Sequence, residues 1–324
     1  MFRCFDGPAR RGPLVAGVLL VWVLAAPAAA QTLRVGKAVG VAFSFVPLDI
    51  GIRKGLFAQN GIEIESTVFG GDARMMQAMA AESIDIALGS GPGMALVAKG
   101  APVKGVAAMA GPPLLLTLLV RPDGPRSLAE LRGKTISVSS AGSLTYWLVS
   151  ETSRQQGWGP DGIKIATLGA PQAQYAAIAR RDVDGMVADL SSALDFERSG
   201  KGRILLRFGD LVKDFHIHVI FATDKAIASR PGAVRAFLQG WFSTIAFMRR
   251  NKAETVAIAM DVMGKDEAIM SRTYDELMPM FSDTGKFDPR ALAVLAKSYV
   301  ALGELPAEPD MAKLYTQAFL PKNE

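Results

Sequence analysis

The chain predicts an α/β protein built as two similar lobes that face each other across a cleft. Three observations carry that expectation. The first is a pattern stated twice. Residues 64–90 run strand, glycine turn, helix, acidic residue, strand, and residues 163–189 run through the same order. The matched identities are few (Ile64/Ile163, Gly70/Gly169, Asp85/Asp184), so the pattern repeats and the residues do not. The second is size: about 290 residues follow a leader-like segment, enough for about two domains with roughly three quarters of the unfolded surface buried, and 50% of the chain is hydrophobic. The third is the run of apolar strands without alternation, Val103–Met109 and Leu114–Val120, which suits sheets covered on both faces. Ligands of open α/β sheets sit at the carboxyl ends of the strands. Two such edges facing each other make a clamp.

Residues 1–30 read as a cleavable export signal. Arg3, Arg10 and Arg11 form a positive start, Leu14–Leu24 is an apolar stretch too short to span a bilayer comfortably, and Ala28-Ala29-Ala30 offers the small residues of a cleavage site before Gln31. Arg10-Arg11 lacks the rest of a twin-arginine pattern. Cys4, the chain's one cysteine, lies inside this segment, and no cysteine follows the apolar stretch to carry a lipid. A mature chain without cysteine excludes disulfides, thiolate metal sites and a cysteine nucleophile. Losing three Arg and one Asp lowers the net charge from +5 to +3. With no basic run and no aromatic–basic interleaving, nucleic acid is not an expected partner.

In chain order, Leu33–Ala38 is a strand, Gly40–Phe45 a loop, and Pro47–Lys54 a helix closed by Gly55. Asn60-Gly61 turns into the first half of the repeat, which ends at Ser90-Gly91-Pro92-Gly93. A short helix Met94–Lys99 and the two apolar strands follow. Pro122-Asp123-Gly124-Pro125 is a candidate hinge. Lys134–Ser139 opens the second lobe, Ser139–Ser143 is a small-residue loop, and Leu144–Gln156 is a helix with Leu144, Trp147, Leu148 and Glu151 at helical spacing. After the second half of the repeat come a helix Leu194–Gly202 and a strand Ile204–Phe208. Asp214-Phe215-His216 is the second candidate hinge, leading into His218–Ala222. Helices Ala233–Asn251, with Pro231 near its start, then Ala253–Met263, Asp266–Leu277 and Pro289–Leu302 carry no catalytic cluster, and are expected to pack on the first lobe. The expected lobes are residues 31–121 with 217–324, and 122–216. Two adjacent linkers make a hinge.

Catalysis leaves little trace, and no catalytic residue, metal or cofactor is assigned. His216 and His218 lie two apart on an expected strand and would share a face, but a metal pair lacks a third ligand beyond nearby Asp214. Ser90 in Gly89-Ser90-Gly91 has no histidine and acid that the sequence places around it, and nucleotide-binding fingerprints are missing. Binding is better marked. Four glycine–serine loops fall at strand ends: Gly40–Phe45, Gly70-Gly71-Asp72, Gly89-Ser90-Gly91 and Ser139–Ser143. Glycine lets backbone N–H groups approach a ligand, serine adds a hydroxyl, and helix starts favour anions. Each loop alone also reads as a tight turn with a helix cap. Met75, Met76 and Met79 form a stripe expected in the core, as is Trp147, whereas Tyr146 has reach toward the cleft. Asp189 takes the place of Ser90 in the repeat. It either binds an amine or hydroxyl of the ligand or caps the helix beginning at Ser191-Ser192, and it would repel a bare anion.

Residues 33–320 resemble the periplasmic solute-binding proteins of the nitrate/sulfonate/taurine ABC importers, a group that includes binders of thiamine-pyrimidine precursors. The resemblance rests on Gly51–Phe57 with Asn60-Gly61-Ile62, Ile84–Ala87, Ser127–Lys134, Asp182–Asp184, Ser229–Phe237, Phe281–Lys286 and Leu302–Leu305, in that order. It implies a type II periplasmic binding-protein fold, two α/β lobes joined by a two-strand hinge. It also implies a monomer in the periplasm that traps a small molecule and delivers it to a membrane permease. Members of the group bind inorganic anions, alkanesulfonates, pyrimidines and aromatic acids. The chain lacks the cysteine-containing glycine loop of the pyrimidine binders and the cysteine cluster of the iron-using pyrimidine synthase on the same fold, which counts against an enzyme. The export signal and the missing DNA-binding helices count against the sensing domain of a transcription regulator. The expected ligand is a small organic sulfonate or carboxylate. Phe43, Ser44, Gly71, Gly89, Ser90, Ser140, Gly142, Ser143, Asp189 and His216 are the expected ligand contacts, the amides and hydroxyls holding the acidic group and Asp189, Phe43 or His216 reading the rest.

Overall fold

The computed structural model describes residues 1–4, 7, 31–114, 116–159 and 161–322, so the expected export signal lies almost entirely outside the described residues. The chain begins β1 (Gln31–Lys37), α1 (Val46–Arg53), β2 (Ile62–Val68), α2 (Asp72–Ala80), β3 (Ile86–Ser90), α3 (Met94–Ala98) and β4 (Val103–Ala110). It continues through β5 (Thr117–Val120), β6 (Thr135–Val138), α4 (Leu144–Gln155), β7 (Lys164–Thr167), α5 (Pro171–Arg180), β8 (Gly185–Ala188), α6 (Leu190–Arg198) and β9 (Arg203–Arg207). It closes with β10 (His218–Thr223), α7 (Asp224–Ser229), α8 (Pro231–Arg250), α9 (Lys252–Met263), α10 (Glu267–Leu277) and α11 (Pro289–Ala301).

Two five-stranded sheets result, ordered β2-β1-β3-β10-β4 and β7-β6-β8-β5-β9. The doubled pattern of the sequence is the β2-to-β3 and β7-to-β8 portion of each. In both sheets the first strand runs parallel to its two neighbours. In both, the antiparallel fourth strand is the one that arrives from the other lobe: β10 between β3 and β4, β5 between β8 and β9. Central strands β3, β5 and β8 are buried along their whole length, as unbroken apolar runs require, while edge strands β2 and β7 are open to solvent.

The repeated acid has the same task in each lobe. Asp85 accepts from the Arg34 amide at 3.0 Å while its own amide donates to the Arg34 carbonyl at 2.8 Å. Asp184 accepts from the Thr135 amide at 2.9 Å and returns its own amide to the Thr135 carbonyl at 2.8 Å. Each thus locks the start of one parallel strand to its neighbour.

Three sequence expectations change. Leu114–Val120 was placed in the first lobe with a hinge at Pro122–Pro125, but β5 pairs with β8 and β9 in the second sheet. The crossing falls between Ala110 and Thr117, where Pro112-Pro113 has no N–H to continue the ladder. Residues 121–124 instead form a turn inside the second lobe, with the Gly124 amide on the Arg121 carbonyl. Second, α6 starts at Leu190 and not Leu194, because Asp189 caps it by accepting from the Ser192 amide at 3.1 Å. Third, the C-terminal helices do not stay on the first lobe. Lys265, just before α10, pairs with Asp195 of α6 at 2.7 Å, and Glu276 of α10 pairs with Arg207 of β9 at 2.8 Å. From α4, Trp147 donates its indole N–H to Ser298 of α11 at 2.8 Å.

Candidate functional site

The carboxyl ends of the two sheets enclose a cavity of about 90 Å³. From the first lobe come Phe43, Ser44 and Phe45 ahead of α1, Asp72 at the start of α2, Ser90 at the end of β3, and His218 at the start of β10. From the second come Ser139 after β6, Ser143 and Thr145 at the start of α4, and Asp189 with Leu190 after β8. Leu114 and Leu116 on one crossing segment, Ile217 on the other, and Leu277 and Met280 at the end of α10 complete the walls. Every lobe contribution lies at one sheet edge, because parallel strands deliver their following loops there and the antiparallel strands begin there.

Five of the expected ligand contacts line this cavity: Phe43, Ser44, Ser90, Ser143 and Asp189. The matched repeat ends, Ser90 and Asp189, are among them. Five lie elsewhere. Gly71 spends its amide on the Ala38 carbonyl at 2.9 Å and faces Ser140, whose Oγ would lie 2.3 Å from a Cβ placed on Gly71. Gly71 and Ser140 therefore meet each other across the lobes, and the Ser140 hydroxyl is buried without a hydrogen-bond partner. Gly89 is packed within β3 against Asp72, Met75 and Phe221. Gly142 takes a left-handed turn (φ +68°) outside the lining. His216 sits in a separate pocket, where its Nε2 accepts from the Asp288 amide at 2.9 Å and its ring meets the edge of Phe287. The two histidines were expected to share a face, but His216 precedes β10 and is free of its alternation. Among the described residues no group of three or more His, Cys, Asp or Glu is placed to hold a metal.

The polar walls are prepared in different ways. On the second lobe, the Thr145 hydroxyl lies 3.1 Å from Ser139 Oγ and 3.0 Å from Ser143 Oγ, and Ser143 caps α4 by accepting from the Tyr146 amide at 3.2 Å. Asp189 takes the Ser191 hydroxyl and the Ser192 amide on the same oxygen, Oδ1. On the first lobe, Ser90 donates its amide to Asp72 Oδ1 at 2.8 Å and accepts from the Gly93 amide at 3.2 Å.

Asp72 and His218 line the cavity without being among the expected ligand contacts. Asp72 reads in the sequence only as part of the Gly70-Gly71-Asp72 loop, with no role of its own, yet it is buried, and burial pushes its carboxyl up to about 6 against the opposing hydrogen bonds from Ser90, its own amide and the Leu144 amide. His218 is pushed down to about 3 by burial, so its imidazole is neutral at physiological pH. Its Nδ1 is buried with no hydrogen-bond partner, and its ring meets the edge of Phe45 with centroids 4.9 Å apart. The sequence signal for it was its place opposite Ser90 in the β10–β3 register, which only pairing reveals.

These groups alter the expected ligand chemistry. The lining holds two carboxylates and no Lys or Arg. Of the helix starts that were to receive an anion, that of α4 is capped by the chain's own Ser143, while those of α1, α2 and α3 carry no side-chain cap. Lys37, buried beside the cavity residue Ala38, gives its ammonium to Asp49 at 2.8 and 3.0 Å. A sulfonate or carboxylate would meet no Lys or Arg in this lining, and would rely on hydroxyls and backbone amides to offset its desolvation.

Residues 42–255 match the family model described as NMT1/THI5 like. No curated protein matches the chain in sequence. Among solved structures, the chain is similar to the alkanesulfonate-binding protein SsuA from Xanthomonas axonopodis pv. citri bound to MOPS, at 19% identity and a TM-score of 0.77, over 90% of this chain and 99% of that one. It is also similar to the periplasmic nitrate-binding protein NrtA from Synechocystis PCC 6803, at 15% identity and a TM-score of 0.72, over 90% and 87% of the two chains. A cysteine-to-serine mutant of DszB in complex with biphenyl-2-sulfinic acid shares 15% identity and a TM-score of 0.61, over 90% and 97%. At these identities the likeness establishes the fold, two α/β lobes of the periplasmic binding-protein kind.

Proposed function

The chain belongs to the NMT1/THI5-like family, and from that premise we propose that it is a non-catalytic receptor of an ABC importer. It captures a small, largely apolar organic molecule between its lobes and presents it to a membrane permease. One observation carries the reading: a cavity whose walls come from both lobes at once, with Ser90 and His218 on one side and Ser143 and Asp189 on the other. A ligand seated there gains its full set of contacts only when both walls are in place, so binding energy favours the closed arrangement and the permease has a closed shape to recognise. The alkanesulfonate-binding and nitrate-binding proteins of similar fold support the receptor role. Export to the periplasm, action as a monomer and a hinge formed by the two crossing segments belong to the same proposal.

A thermal-shift screen of small sulfonates, carboxylates, amines, nitrate and pyrimidines tests it. Ligands that stabilise the protein should lose their effect in Leu116→Trp, where a half-buried wall residue is enlarged into the cavity. Stabilisation that survives Leu116→Trp undiminished would place the binding site elsewhere.

A further inference from the structure

We propose that the cavity selects a small organic cation, an ammonium on an apolar or aromatic body, over the isosteric anion. The proposal rests on the receptor reading and names the ligand class of that same site. Asp72 and Asp189 approach the cavity from opposite lobes, and no Lys or Arg joins them in the lining. Of the cations nearest in sequence, Lys37 is paired with Asp49, and Arg74 is exposed, outside the lining and over Gly70. A buried carboxylate without a counter-charge is costly, and an entering ammonium supplies that charge where an anion would double the repulsion.

The rest of the wall fits the same class. Phe43 and Phe45 present aromatic rings, whose faces attract organic cations once water is excluded. His218 adds a neutral imidazole to the wall, its Nδ1 buried with no partner in the protein. Held neutral by its burial, the imidazole can accept an N–H from a ligand without adding positive charge. Asp189 keeps both of its protein hydrogen bonds on Oδ1, leaving Oδ2 uncommitted among the described residues. The aliphatic walls, Leu114, Leu116, Ile217 and Met280, then take the apolar body.

Isothermal titration of the mature protein at neutral pH with three probes of one shape tests this: benzylamine, benzyl alcohol and benzenesulfonate. Benzylamine should bind about tenfold or more tightly than either of the others, and Asp72→Asn and Asp189→Asn should each erase that preference. Both variants keep a side-chain oxygen for the local amide, so near-wild-type circular dichroism is expected of them. Equal binding of benzylamine and benzyl alcohol would overturn the inference, as would silence from all three probes. Preference for benzenesulfonate, abolished by Leu116→Trp, would overturn the cation while leaving the receptor standing. Benzylamine binding indifferent to Leu116→Trp would overturn both.

Discussion

Asp72 opens α2 with a carboxylate that the fold almost completely buries. Its folded-state pKa of about 6 lies above the ordinary 3.8. Between those values the folded protein holds a proton that the unfolded chain has released. The penalty is therefore fully present above about pH 6 and absent below about pH 4, an order-of-magnitude cost of about 3 kcal/mol at neutral pH. Asp72→Asn should then be more stable than the wild type in urea at about pH 8, by roughly 1–3 kcal/mol, with the advantage shrinking toward about pH 4. His218 acts in the opposite sense, since its depressed pKa withdraws stability as pH falls from the ordinary histidine range toward about 3, but it is common to both proteins. A variant less stable at every pH would mean that the Ser90 and Leu144 amides overcome the burial. Such a cost, retained at a cavity wall, is what a binding group rather than a packing group would show. The sequence made half of this legible. Ser90 and Asp189 were recognisable as matched strand ends, because the repeat fixes where strands stop. Asp72 and His218 were not, because their meaning comes from burial and from pairing across β10 and β3, neither of which has a local signature.

Helices and strands were mostly readable from period and punctuation, and their partners were not. The C-terminal segment gave its helices clearly, yet nothing in residues 265–277 announces that they reach across to α6 and β9. Those pairs join residues about seventy positions apart, beyond any periodic signal. Likewise the run at Leu114–Val120 reads as a buried strand in either sheet, and only the proline pair before it marks where the chain crosses. The Lys265–Asp195 and Arg207–Glu276 pairs are partly exposed, so each is worth about 0.2–1 kcal/mol. Replacing Lys265 and Arg207 together by Ala should lower stability by about 0.4–2 kcal/mol in dilute buffer and by clearly less in about 1 M salt, read from urea midpoints. A loss unaffected by salt would assign the effect to packing of the side-chain stems.

At the scale of the whole molecule, the two sheets share one strand order and meet at their repeated turns. A Cβ placed on Gly70 would lie 3.9 Å from Gly169 Cα, its counterpart in the repeat, and Gly71 abuts Ser140 beside it. These small residues let the lobes approach closely enough to complete the cavity. The doubled pattern that first suggested a clamp thus also supplies its contact points, although Gly71 and Ser140 touch each other and leave the ligand to their neighbours. Small-angle X-ray scattering of the mature protein, before and after saturation with a ligand that Leu116→Trp fails to bind, tests the closure most directly. The wild type should contract on binding. Gly71→Ala, whose methyl meets Ser140 Oγ at a backbone φ of +121° that also strains any side chain, should stay expanded and bind weakly, with partial recovery when Ser140→Gly is added. A wild type that binds with an unchanged radius of gyration, or a Gly71→Ala protein that contracts and binds as well as the wild type, would contradict a receptor that closes its two lobes on the molecule it carries.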